Sequence, residues 1–191
     1  MNLQFMSEKA ILSSSDKDTF RAFLDGAAAQ PDKWVVSNRY PWQSRMAFEK
    51  LLEVAKSQKA DIRLLTGGGM ETFYDATFTK LLHECKESGC KSVRVLVWQK
   101  SSEHISRQLA KLADDKIIEL RVSGTDDFAD RITHFLLVGD YAFRQEALHQ
   151  PFTKETKFTE TEPQVPARID FRDPKTGVVL KDMFDKLWGG S

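Results

Sequence analysis

The sequence predicts an α/β fold: one mostly parallel sheet with helices on both faces. Three observations predict it. From Ser15 to Val122, helical apolar stripes alternate with short β-rich runs, the order expected of a helix-covered parallel sheet. Val93, Val95, Leu96 and Val97 form a nearly continuous apolar run, which suits a strand buried on both sides. After residue 123 the alternation stops, and Gly139-Asp140 sits between two strand-like runs as a hairpin turn.

Each element has its own signal. Ser15, with Asp18 three residues on, opens a helix in the manner of a capping box, and Phe20, Phe23, Leu24 and Ala27 form its apolar stripe. Pro31 prevents its return. Lys33–Ser37 is a strand on Trp34-Val35-Val36, Asn38–Gln43 a loop, and the next helix carries Phe48, Leu51, Leu52 and Ala55. Ala60–Thr66 is a strand ending at Gly67-Gly68-Gly69, and Glu71–Glu87 a helix with Tyr74, Phe78, Leu81, Leu82 and Cys85 aligned. Ser92–Trp98, Ser102–Ala113 and Ile117–Val122 follow as strand, helix and strand. The hairpin pairs Ile132–Val138 with Tyr141–Glu146. Ala167–Phe171 is a last strand, and Asp173 caps a helix with Pro174 in its first turn. There is no internal repeat. The expected organisation is an extension over 1–14, one domain over 15–188 with a long surface loop at 150–166, and a tail or linker at 189–191.

Lys+Arg and Asp+Glu each number 28 in 191 residues, so the net charge is zero. That argues against a broad basic footprint for nucleic acid, though not against a local patch. No stretch approaches a membrane span and no signal peptide is evident, so a cytoplasmic protein with no membrane partner is expected. Cys85 and Cys90, the two cysteines, lack CxxC spacing and a second pair, and read as free thiols in a reducing compartment. His83 and His104 lack metal-ligand spacing, so neither a metal nor a cofactor is expected.

His134 lies in an apolar strand, where a histidine serves either as a satisfied core residue or as a reactive group. Arg144, Glu146 and His149 form the neighbouring polar cluster. A two-residue turn at Gly139-Asp140 pairs His134 with Gln145 and points Arg144 and Glu146 to the other face; a bulge shifts the pairing by one residue and joins them. Arg39 and Trp42, and Trp98 and Lys100, lie in loops after strands, where open α/β sheets collect ligands. They suit single-stranded nucleic acid or a protein partner, or else they close the core edge. Gly67-Gly68-Gly69 lacks a nucleotide fingerprint and reads better as a tight turn.

The segment Arg168-Ile169-Asp170-Phe171-Arg172-Asp173-Pro174, with the helix ending Phe184-Asp185-Lys186-Leu187-Trp188, resembles the close of a phospholipase D-like domain. The alternating lead-in and the His-bearing strand resemble that family too, from about Ser15 to Trp188. The resemblance implies a phospholipase D-like sandwich, present as a single half, and catalysis by His-x-Lys-x4-Asp motifs facing one another in pairs. Here His134 matches the histidine, Leu136 stands at the lysine position and Tyr141 at the aspartate position, with Asp140 one residue early. The expectation is therefore a catalytically degenerate binding or regulatory module, taking a protein or a phosphate-bearing partner such as nucleic acid. The family implies a homodimer through the His-motif face. One alternative is a metal-independent phosphodiesterase or nuclease using His134, Glu146 and His149, with Arg144, Arg39, Lys100, Trp42 and Trp98 holding the ligand. The other is a structural subunit of a larger assembly.

Overall fold

The computed structural model describes residues 9–67, 73–98, 106–123, 133–148 and 165–190. The first helix, α1 (Lys17–Ala29), is capped by Asp16, one residue later than Ser15, because the Asp16 carboxylate accepts from the Thr19 amide at 2.8 Å. α2 (Pro41–Gln58) starts inside the expected loop: Pro41 is preorganised for a first helical position, and Gln43 Oε1 accepts from the Arg39 and Tyr40 amides. Trp42 is thus a first-turn helical residue. α3 (Ala76–Glu87) begins later than Glu71, since Asp75 caps it by accepting from the amides of Thr77 and Phe78. That leaves Tyr74 ahead of the helix. α4 (Arg107–Asp114) is capped by Ser106, and α5 (Pro174–Gly189) by Asp173 as the sequence predicts, running on into the expected tail.

The strands are β1 (Ala10–Leu12), β2 (Trp34–Asn38), β3 (Ile62–Thr66), β4 (Val93–Val97), β5 (Glu119–Val122), β6 (Phe135–Val138), β7 (Ala142–Glu146) and β8 (Ala167–Asp170). They make one sheet in the order β1-β2-β8-β7-β6-β3-β4-β5. Pairings β1–β2, β3–β4 and β4–β5 are parallel, and the four that join β2 to β3 through β8, β7 and β6 are antiparallel. Only β6 and β8 therefore run against the other strands. β1 lies where the sequence showed an extension, held by backbone pairing to β2 rather than by an apolar pattern: Ile11 is 74% exposed.

Side-chain alternation divides the core in two. Val36, Leu64, Val95, Leu136, Val138 and Ile169 point to α1–α4, and Leu65, Leu96, Phe135, Leu137 and Phe143 point to α5. Both faces are helix-covered, four helices against one. No helix among the described residues is long and apolar enough to cross a membrane.

Candidate functional site

The site follows from one register. β6 and β7 pair Phe135 with Gln145, Leu136 with Arg144, Leu137 with Phe143 and Val138 with Ala142. The connection is three residues, Gly139-Asp140-Tyr141, with Gly139 at φ +61°. The two-residue turn expected from sequence is overturned, and every pair shifts by one. His134 now lies opposite Glu146, whose amide donates to the His134 carbonyl at 2.9 Å. His134, Glu146, Arg144 and Leu136 share the face toward α1–α4, so the expected separation of Arg144 and Glu146 from His134 does not occur.

His134 Nδ1 is 3.0 Å from Glu146 Oε2, and the side chains are 16% and 13% exposed. The other Glu146 oxygen accepts from Arg144 Nη1 at 2.9 Å. Arg144 also donates from Nε to Asn38 Oδ1 at 3.2 Å and from Nη2 to Ser44 Oγ at 2.7 Å, and its guanidinium lies over Phe48. Asn38 Nδ2 donates to the same Ser44 oxygen. A neutral imidazole giving its Nδ1 proton to a carboxylate keeps its lone pair on Nε2, the form that acts as base or nucleophile. Here His134 Nε2 is shielded from solvent. All three nitrogens of Arg144, placed among the phosphate-holding candidates, are engaged inward.

The row continues sideways. Asn38 pairs with Ala167, and Ala167 with Glu146. Thr66 follows Leu65, the partner of Phe135, and its hydroxyl oxygen accepts from buried Tyr74 at 2.9 Å. Burial pushes the Tyr74 phenol up to about 12, with Glu146 acting in the same direction and Thr66 and Arg144 in the opposite one. Asn38, Ser44, Thr66 and Tyr74 had no sequence signal as site residues. They are common polar types, and only the sheet order brings them beside His134.

The remaining candidates scatter. Trp42 packs with the α1–α4 core, stacked on Tyr40 and edge-on to Phe20, with Lys17 over its ring. Trp98 packs with the α5 core, so the two tryptophans lie on opposite faces rather than on one stacking surface. Arg39 is exposed. His149 and Lys100 lie outside the described residues, as do Gly68 and Gly69, His104 and most of the 150–166 loop. Among the described residues, no group of three His, Cys, Asp or Glu side chains could hold a metal ion.

On the α5 side of the same sheet edge is a shallow groove of about 410 Å³, lined by Ser37, Gln145, Leu148, Pro166 and Arg168 among others.

No family model matches the sequence, and no curated protein matches it. Solved structures do. Nuc from Salmonella typhimurium, a phospholipase D family member, superposes with a TM-score of 0.55 at 15% identity, over 82% of this chain and 94% of that one. Polyphosphate kinase from Porphyromonas gingivalis gives 0.56 at 15% identity, over 82% of this chain and 26% of the kinase chain. The chain has the phospholipase D-like fold.

Proposed function

We propose that this chain is a phospholipase D-like domain that binds a phosphate-bearing ligand or partner at the carboxyl edge of its sheet without turning it over. One observation carries the reading: the charged groups around His134 are spent on one another. Leu136, at the position where the resemblance expects a lysine, is fully buried, and Arg144 directs every nitrogen to Asn38, Ser44 or Glu146. Phosphoryl transfer needs positive charge where charge develops on phosphorus, and neither residue supplies it there. Homodimerisation and a cytoplasmic setting belong to the same proposal, the latter supported by two free buried thiols.

A second reading, hydrolysis of a phosphodiester through His134, is favoured by the carboxylate at its Nδ1. One experiment separates the two. Purified protein is incubated with a single-stranded oligonucleotide and a chromogenic phosphodiester, with and without chelator, while binding is followed by calorimetry. The expected result is binding with no product. Product formation that survives chelator and disappears in His134→Gln overturns the binding reading in favour of hydrolysis. Neither binding nor product overturns both.

A further inference from the structure

We propose that the groove on the α5 face is a binding site for an oxyanion, phosphate or carboxylate, borne on an apolar body, and that Ser37, Arg168 and Gln145 form its floor. The proposal rests on the binding reading above and places the ligand on the opposite sheet face from His134. Its basis is the register. Ser37 pairs with Arg168, and Arg168 with Gln145, so three polar side chains stand side by side across β2, β8 and β7. The adjacent row, Asn38, Ala167 and Glu146, faces the other way.

Arg168 keeps charged donors for an anion. Its ion pairs, with Asp170 at 2.8 Å and Asp173 at 2.9 Å, both use Nη2. Its guanidinium lies over the Phe143 ring, 5.6 Å from the centroid. Anchored by carboxylates and an aromatic face, the side chain is still 48% exposed. Among the described residues, Nε and Nη1 make no hydrogen bond, so each can still donate singly to an oxyanion, while Nη2 is taken up by the two aspartates. Asp170, fully buried, is also paired with Lys9, so Arg168 and Lys9 together face the two carboxylates of Asp170 and Asp173. Glu146 lines the groove as well, with its carboxylate held by Arg144 and His134 on the far side.

Gln145 and Ser37 supply the neighbouring donors. Neither side chain is hydrogen-bonded within the described residues, and each is only part-buried. The lip is apolar: Leu148 is 63% exposed and stands with Pro166. A ligand carrying only an anionic group would leave this lip in water, whereas one with an aromatic or aliphatic body would cover it. The chemistry selects an organic phosphate or carboxylate over the inorganic ion.

The test is a titration of the 15N-labelled full chain with phenyl phosphate, inorganic phosphate, benzoate and acetate, reading backbone amide shifts. Saturable shifts are expected at Ser37, Gln145, Leu148 and Arg168, with phenyl phosphate or benzoate binding at least about tenfold more tightly than the matching inorganic phosphate or acetate. The phosphate and carboxylate arms distinguish the two anion sources. Arg168→Gln should weaken binding at least about tenfold, as expected for loss of a charge-assisted pair. Ser37→Ala and Gln145→Ala, both at part-exposed positions, should each weaken it a few-fold. The two alanine variants keep the test decisive if Arg168→Gln fails to fold. Gly189→Ala, at the far end of α5 with nothing within 4 Å of the added carbon, should leave binding unchanged. Absence of saturable shifts, or shifts that persist in all three groove variants, overturns the proposal. An oligonucleotide that binds through His134 while phenyl phosphate leaves the groove amides unmoved would sink this site but not binding at the sheet edge. Cleavage that depends on His134 would sink the binding reading and leave the groove to be judged by its own titration.

Discussion

Leu136 and Arg144 face one another across β6 and β7, the first fully buried and the second 2% exposed. The positive charge on this sheet face therefore sits one strand away from the position two residues beyond His134. It reaches the imidazole through Glu146.

Leu136→Lys should consequently not create a phosphate site. The ammonium would enter the core shared by Ile169, Val138 and α2, at a cost on the order of 3 kcal/mol or more. Urea denaturation should show the lost stability, and no phosphodiesterase activity should appear. A well-folded, active variant would contradict the burial of this position.

Arg144 should be the more sensitive of the pair. Arg144→Met removes a partner of Glu146 and of Asn38 and Ser44 together, leaving a part-buried carboxylate without its guanidinium. A loss of about 3–5 kcal/mol is expected on breaking a buried pair from one side. Arg144→Lys should lose less, because it keeps the charge but not the three-way geometry. Chemical denaturation curves of both variants provide the comparison.

Gly177 joins α5 to the hairpin turn. A Cβ there would lie 2.1 Å from the Asp140 carbonyl oxygen, a backbone atom that has no flexible end to move aside. Gly177→Ala should destabilise by about 1–3 kcal/mol or more through overpacking, despite the better helix propensity of alanine. Gly189→Ala, where nothing lies within 4 Å, is the control and should leave the melting temperature nearly unchanged.

Acid should weaken α5. Burial by itself lifts the Asp173 carboxyl, but bonds from the Thr176 amide and hydroxyl, with Arg168 and Lys9 nearby, outweigh it and hold the group below its ordinary 3.8. A carboxyl depressed in the folded state stabilises fully above its unfolded value and loses that contribution as pH falls through the folded one. Stability should thus decline from about pH 4 downward, and Asp173→Asn, which keeps a capping oxygen, should decline less steeply there. Melting temperatures measured between pH 2 and 6 would reveal parallel curves if Asp173 has no part in this.

Cys85 should resist alkylation. Burial foremost, with Cys90 beside it, pushes its thiol up to about 12, so little thiolate exists at pH 8. Iodoacetamide followed by mass spectrometry should find Cys85 unmodified in native protein and modified in urea.

Much of the fold was legible because periodicity is a local property. The stripe Phe20, Leu24, Ala27 and the run from Val93 to Val97 announce their elements without reference to the rest of the chain. Cap positions were less legible. Asp16 and Asp75 took the roles expected near Ser15 and Glu71, since several polar residues compete at each helix start and backbone direction decides among them. β1 was invisible, as its three residues owe their strand to backbone pairing with β2.

By itself the sequence determined that an alternating α/β sheet would form, that a hairpin would precede the last strand and helix, and that His134, Arg144 and Glu146 would lie near its edge. Only the tertiary structure decided which of them meet. Side chains on a strand alternate with period two, so one extra residue in the turn, Tyr141, reverses every facing relation downstream. That step placed Glu146 against His134 and Arg144 opposite Leu136, and it turned Gln145 to the far face, where the β7–β8 register sets it beside Arg168. The turn itself is seated on segments far apart in the chain: the Gly139 amide donates to the Asp61 carbonyl, and the Asp140 backbone packs on Gly177.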